Sequence, residues 1–314
     1  MNTEIKNAVK VTEMKAQYDA SAKRLLGQKI ILAQILVKTV DEFKGMDPQV
    51  VAGYIEGTLY ISTVPVEPGL TNMIASKNGE RLVGFNTEEQ EINEGLVRFD
   101  IVFYVRMKDG LSQIIVNVEA QKDEPEKYEI VNRAVFYVSR LISSQKERDF
   151  ENSNYDDIKC VYSIWLCMNM EENSMSHIHL IKEDVIGSYD WKGRLDLFHI
   201  VMIGLAKELP DHDDPYELHR LLGALLSQEL TADEKLSIIE KEYDIPIEEN
   251  MREDVSVMCN LSEGIEEKGR AEGLIEGEAG LIQKMYKNGM SAEQIASATE
   301  KTIEEVETII SSIR

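Results

Sequence analysis

Apolar positions along the chain fall into two rhythms. Leu25, Leu26, Ile30, Ala33, Leu36, Val37 and Val40 recur at spacings of three and four, which predicts a helix from Ser21 to Phe43. Asp47-Pro48 places a cap residue before a first-turn proline and predicts a second, short helix ending at Glu56-Gly57. Pro65, Pro68, Gly69, Asn78-Gly79, Gly84 and Gly95 then break the chain into short strands and loops. Arg98–Met107 and Ser112–Gln121 read as two strands joined by a tight Asp109-Gly110 turn. A helical rhythm returns over Lys127–Gln145, carried by Ile130, Val131, Ala134, Val135, Val138, Leu141 and Ile142. The unbroken run from Cys160 to Cys167 predicts a strand buried on both faces, and Ser176–Leu180 a further strand. Beyond Leu195 the expectation is helical throughout: Leu197–Leu209, Pro215–Gln228, Ala232–Tyr243 and Met251–Glu267.

The expected organisation is an N-terminal extension (1–20), an α/β core (21–195), a helical extension (196–262), a linker or weak helix (263–281) and a small helical tail (282–314). The linker or weak helix is expected from Gly264, Gly269, Gly273, Gly277 and Gly280, since each glycine costs a helix about 1 kcal/mol. Ser291 and Thr302 are the caps expected in the tail.

The hairpin carries the chemistry. A two-residue turn at Asp109-Gly110 sets Asp100 opposite Glu119 and lays Ile101, Phe103 and Val105 against Val118, Val116 and Ile114. That second face is wholly apolar and calls for a covering helix. The first is mixed, with Val102, Tyr104, Arg106, Gln113, Ile115, Asn117 and Gln121 beside the two acids. A slip of one residue scrambles both faces, so the pattern itself fixes the register. Two opposed carboxylates repel unless a proton or cation lies between them. A divalent metal relieves that repulsion, polarises a phosphodiester and lowers the pKa of a water. Gln121, two residues beyond Glu119, shares its face and is placed to order a water or a phosphate oxygen.

Composition narrows the class. The 314 residues carry a formal net charge of −23, an uncommon balance for a protein that grips nucleic acid through its phosphates. No apolar run reaches the roughly 18 residues of a membrane span, and no basic-then-apolar leader opens the sequence. Cys160, Cys167 and Cys259 lack metal-ligand spacing, so a reduced, cytoplasmic setting without disulfides is expected.

Three segments resemble the PD-(D/E)XK nuclease family transposases, relatives of the recombination-promoting nucleases. They are Gly95-Leu96-Val97-Arg98-Phe99-Asp100, Ile115-Val116-Asn117-Val118-Glu119-Ala120-Gln121, and Arg133-Ala134-Val135-Phe136-Tyr137-Val138-Ser139-Arg140. The likeness extends to Ile55-Glu56-Gly57, Ser62-Thr63-Val64-Pro65-Val66, the strand from Val161 to Asn169, and Met258-Cys259-Asn260-Leu261-Ser262-Glu263-Gly264. It implies a restriction-endonuclease-like core, a mixed central sheet flanked by helices, with a helical C-terminal region. It also implies DNA cleavage dependent on Mg²⁺ (or Mn²⁺) and a link to mobile elements or recombination. Asp100 and Glu119 match the family's metal-holding acids, Gln121 the third catalytic position (lysine in the wider class), and Glu56 the upstream acid that completes such sites.

Other residues invite two readings. Arg133, Tyr137 and Arg140 share a stripe of the 127–145 helix, which either contacts phosphates or is a solvated face. His177 and His179 share a strand face without a visible third ligand, and His212 and His219 read as loop and helix-surface residues. The acidic last helix, with Glu304, Glu305 and Glu307, suits self-association or docking better than reading DNA. The alternative to a DNA endonuclease is therefore a nuclease-fold protein without activity, serving as an interaction module.

Overall fold

The structure, a computed structural model, describes residues 17–18, 20–57, 60–61, 73–75, 81–83, 88–91, 95–98, 100–107, 113–121, 127–146 and 149–311. Side chains are described for these residues except at 60–98, 113, 214 and 262–276. The Asp109-Gly110 turn lies outside them.

The strands are β1 (Tyr60–Ile61), β2 (Met73–Ala75), β3 (Arg81–Val83), β4 (Glu88–Glu91), β5 (Gly95–Arg98), β6 (Ile101–Arg106), β7 (Gln113–Gln121), β8 (Cys160–Met170), β9 (Ser174–His179) and β10 (Phe198–Ala206). Six of them form one mixed sheet in the order β1-β6-β7-β8-β10-β9, while β2 with β3 and β4 with β5 make two separate ribbons. The β7-β8 and β8-β10 pairs are parallel; β1-β6, β6-β7 and β9-β10 are antiparallel. The chain is thus α/β with a mixed sheet flanked by helices. Every hairpin partner matches the register read from the sequence, from Ile101 opposite Val118 to Arg106 opposite Gln113.

The helices are α1 (Lys29–Thr39), α2 (Pro48–Ala52), α3 (Ile130–Ser143), α4 (Glu217–Leu226), α5 (Ala232–Tyr243), α6 (Glu249–Lys287), α7 (Ala292–Thr299) and α8 (Ile303–Ser311). The helix expected from Ser21 to Phe43 is broken: residues 20–26 are helical, the backbone turns at Gly27-Gln28, and α1 follows. Gly27 is the weakest helix former of that stretch, and the break falls there.

One sheet face is buried under α3. Val102, Tyr104, Ile115, Val161, Trp165, Cys167 and Ile200 pack there with Ala134, Tyr137, Val138 and Leu141 of the helix. This is the face the sequence marked as mixed and polar. Two of its polar members are buried there, Asn117 at 0% and Glu119 at 3% exposure, while Asp100 and Gln121 are only partly covered and Arg106 is exposed. The opposite face, with Ile101, Phe103, Val105, Val116 and Val118, is buried as its apolar pattern requires.

β10 is the largest departure from expectation. Leu197–Leu209 was expected to be helical, yet it forms the strand between β8 and β9. Its Ile200, Val201 and Ile203 are fully or almost fully buried. A short run of β-branched residues has no decisive period, and parallel pairing to β8 settles it. The boundary expected at 195/196 therefore falls within a single sheet.

The chain divides into two compact units: Asp19–Val257, which holds the sheet, and a second that takes in the described residues up to Tyr18 and those from Met258 onward. In the second, Ile282, Ile295, Ala296 and Val306 form a small core. Ser291 caps α7 in a reciprocal box with Gln294, and Thr302 exchanges the equivalent bonds with Glu305 at the start of α8. The glycine-rich stretch expected as a linker or weak helix is continuous helix within α6. Glu, Lys, Ala and Leu between the glycines are good helix formers and carry it through.

Candidate active site

Asp100 and Glu119 are brought together at the end of the β6-β7 pair, and each is anchored to the other's strand. The Asp100 N–H donates to Glu119 Oε1 at 3.0 Å, and the Ala120 N–H donates to Asp100 Oδ2 at 2.9 Å. One oxygen of each carboxylate is thereby fixed by backbone. Each remaining oxygen faces a cation. Lys23 Nζ lies 2.7 Å from Asp100 Oδ1, and Arg133 Nη2 lies 3.9 Å from Glu119 Oε2. Burial, together with the charge of Asp100, pushes the Glu119 carboxyl well above the usual carboxylate range. The Asp100 N–H, the Arg133 charge and a hydrogen bond with Asn117 oppose the shift without cancelling it.

Behind Glu119 runs a buried polar chain. Asn117 Nδ2 donates to Ser163 Oγ at 3.1 Å, and Trp165 Nε1 donates to the same oxygen at 2.9 Å. Asn117 Oδ1 is buried with no hydrogen-bond partner among the described residues.

Arg133 organises the rim. Its Nη1 donates to Gln121 Oε1 and to the Tyr128 hydroxyl, each at 3.2 Å, and its Nη2 donates to the Tyr137 hydroxyl at 2.8 Å. The guanidinium also lies 4.8 Å from the Tyr137 ring centre and 5.3 Å from that of Trp165. Gln121 is therefore held near Glu119 as its place on the strand suggested.

Two expectations are corrected. Glu56, the acid expected to complete the site, does not join it. Its N–H donates to the carbonyl of Tyr104 at 3.0 Å, and its carboxylate takes two contacts from Arg106 at 2.8 and 2.7 Å. That places it at the opposite end of β6 from Asp100, roughly 15 Å away at the rise of a strand. Among the described residues no three His, Cys, Asp or Glu side chains form a metal-holding group. Secondly, the Arg133, Tyr137 and Arg140 stripe turns inward. Tyr137 and Arg140 are buried at 8% and 6% exposure, and Arg133 points to Glu119. A residue turns a helix by about 100°, so these three border the Ala134, Val138 and Leu141 arc. The face left outward carries Val131, Val135 and Phe136, each 40% or more exposed.

The histidines are also placed. His177 and His179 share a face, as expected, and His199 of β10 joins them, with His177 Nε2 and His199 Nδ1 2.9 Å apart. Burial and the neighbouring imidazoles hold the His177 pKa below its usual value. His212 is exposed, whereas His219, expected on a helix surface, is buried with Nε2 2.9 Å from the Ser174 carbonyl.

Sequence reading missed Lys23. Its neighbours Ala22, Leu25 and Leu26 are buried and signal a packed helix, but nothing local signals a partner 77 residues away. No model of a protein family, no curated protein and no solved structure matches the chain.

Proposed function

We propose that the protein is a divalent-metal-dependent DNA endonuclease with a restriction-endonuclease-like core, of the PD-(D/E)XK kind and linked to mobile elements. The observation that carries the reading is the reciprocal anchoring of Asp100 and Glu119. Both acids are aimed by backbone N–H groups, and each keeps one oxygen turned to positive charge. Holding the buried Glu119 carboxylate beside the part-buried Asp100 is unfavourable, and a divalent cation would add to the relief that Lys23 and Arg133 give.

The donor set fits Mg²⁺ or Mn²⁺. A small hard cation takes one or two carboxylates and completes its shell with water and substrate phosphate oxygens, so the absence of Glu56 from the site leaves a sufficient set. Asp100 Oδ1 and Glu119 Oε2 would hold it, and when bound it would polarise a phosphodiester and activate a water. Gln121, oriented by Arg133, orders the attacking water on the side away from the leaving oxygen. Arg133, tied to Tyr128 and Tyr137, keeps its charge at the rim where negative charge builds on the phosphate. Packing of α3 over Glu119 keeps bulk water from the acid. Water adds to phosphorus, the bond to the departing sugar oxygen breaks, and the proton released passes to that oxygen.

Supercoiled plasmid with and without Mg²⁺ or Mn²⁺ tests the reading. Wild type should nick it, with Asp100→Ala and Glu119→Ala each slower by about 100-fold or more. Equal nicking by all three proteins refutes it. The net charge of −23 and the exposed Val131, Val135 and Phe136 face favour a second reading, a non-catalytic interaction module. Calorimetry with no heat on adding Mg²⁺ or Mn²⁺ would select that one.

A further inference from the structure

We infer that the Lys23 ammonium is the resident cation of the candidate site and gives way to a divalent ion at Asp100 Oδ1. The inference rests on the metal reading proposed above and concerns how that site is guarded. Asp100 has two oxygens, and Oδ2 is engaged by the Ala120 N–H at 2.9 Å. Oδ1 is the oxygen left for a cation, and Lys23 Nζ already stands 2.7 Å from it. Both side chains are largely out of water, at 15% and 17% exposure, so the pair is only weakly screened.

A divalent ion approaches a carboxylate oxygen to about 2.0–2.1 Å and repels an ammonium beside it. Ion and ammonium therefore compete for Oδ1. Lys23 suits that exchange, because its charge is compact and sits on a flexible four-carbon stem. Arg133 is built differently: it is fixed by Gln121, Tyr128 and Tyr137 and stays in place. A second observation places spare acceptor capacity behind the other acid. Asn117 Oδ1, fully buried two residues before Glu119, has no hydrogen-bond partner among the described residues.

The consequence is a site that is neutralised from within until metal arrives. Lys23→Met keeps most of the stem and removes the charge; Lys23→Arg keeps the charge. Calorimetric titration of the full chain with Mn²⁺ should show Lys23→Met binding at least about fivefold more tightly than wild type, with Lys23→Arg within about twofold of it. A measurement on unaltered protein needs no variant to fold. Labelling with an amine-reactive ester, read by mass spectrometry, should modify Lys23 at least about threefold faster with Mn²⁺ than without, while exposed Lys241 is unchanged. Unchanged or weaker Mn²⁺ binding by Lys23→Met, equal labelling of Lys23 in both conditions, or no Mn²⁺ binding by any form each overturns the inference. The plasmid assay separates this from the nuclease reading. A wild type that shows the exchange but leaves plasmid intact refutes cleavage alone, and a cutting wild type without the exchange refutes the role of Lys23 alone.

Discussion

Glu119 is a carboxyl whose surroundings favour its proton, and that preference has a sign. A raised folded-state pKa means the neutral form is stabilised by folding. The contribution is complete below the unfolded value of about 4.3 and is lost as pH rises through the raised value. Glu119→Gln mimics the neutral acid at every pH. Its melting temperature should therefore exceed that of wild type by a margin that widens from about pH 4.5 to about pH 8 in metal-free buffer, as thermal melts across that range would show. A constant margin would mean the proton is not the cause. Asp100 and Glu119 were legible as a pair because the alternation of β6 and β7 fixes which side chains oppose, and register needs no tertiary information. Glu56 and Lys23 were not legible for the complementary reason. Their places depend on how helices and loops dock onto the sheet, and one sequence carries no signal of that docking.

At the scale of elements, amphipathic period located α3 well but left its orientation open. Ile130 and Val131 are both apolar, yet the helix buries the arc through Ala134, Val138 and Leu141 and leaves Val131 outside. Truncating that arc should be costly: Leu141→Ala is expected to lose about 2–5 kcal/mol in urea denaturation, whereas Val135→Ala on the outer face should change stability by less than about 1 kcal/mol. Caps were read more reliably, because they are local. Ser291 and Thr302, the caps expected in the tail, each close a reciprocal box; the helix predicted over Ala232–Tyr243 is α5 to the residue, and the structure adds a box there between Thr231 and Glu234. Thr231→Ala should cost about 0.5–2 kcal/mol by the same measurement. The opposite outcome is expected in α6. A methyl group added at Gly277 or Gly280 meets nothing within 4 Å, so each change to alanine should stabilise the helix by up to about 1 kcal/mol, visible as greater helicity on heating.

For the molecule as a whole, charge is the dominant statement. A net −23 over 314 residues is self-repulsive. Raising NaCl from about 20 to about 200 mM should therefore increase the melting temperature, since the screening length shortens while the buried pairs near Asp100 are screened less. A fall in melting temperature over that range would show that attractive pairs outweigh the repulsion. Composition predicts this without any fold, but it does not say where the positive charge goes. Arg133 and Lys23 lie beside Glu119 and Asp100, the two acids of the candidate site.

The two bonds that cross between Asp100 and the Glu119-Ala120 segment have a consequence for folding quality. They join strand ends and aim the acids in a single act, so a chain paired one residue out of step would lose both together. Under the proposed metal reading, functional titre then becomes a direct count of correctly threaded molecules: a preparation in which misalignment is common should lose Mn²⁺ uptake in the same proportion, with no half-competent species between.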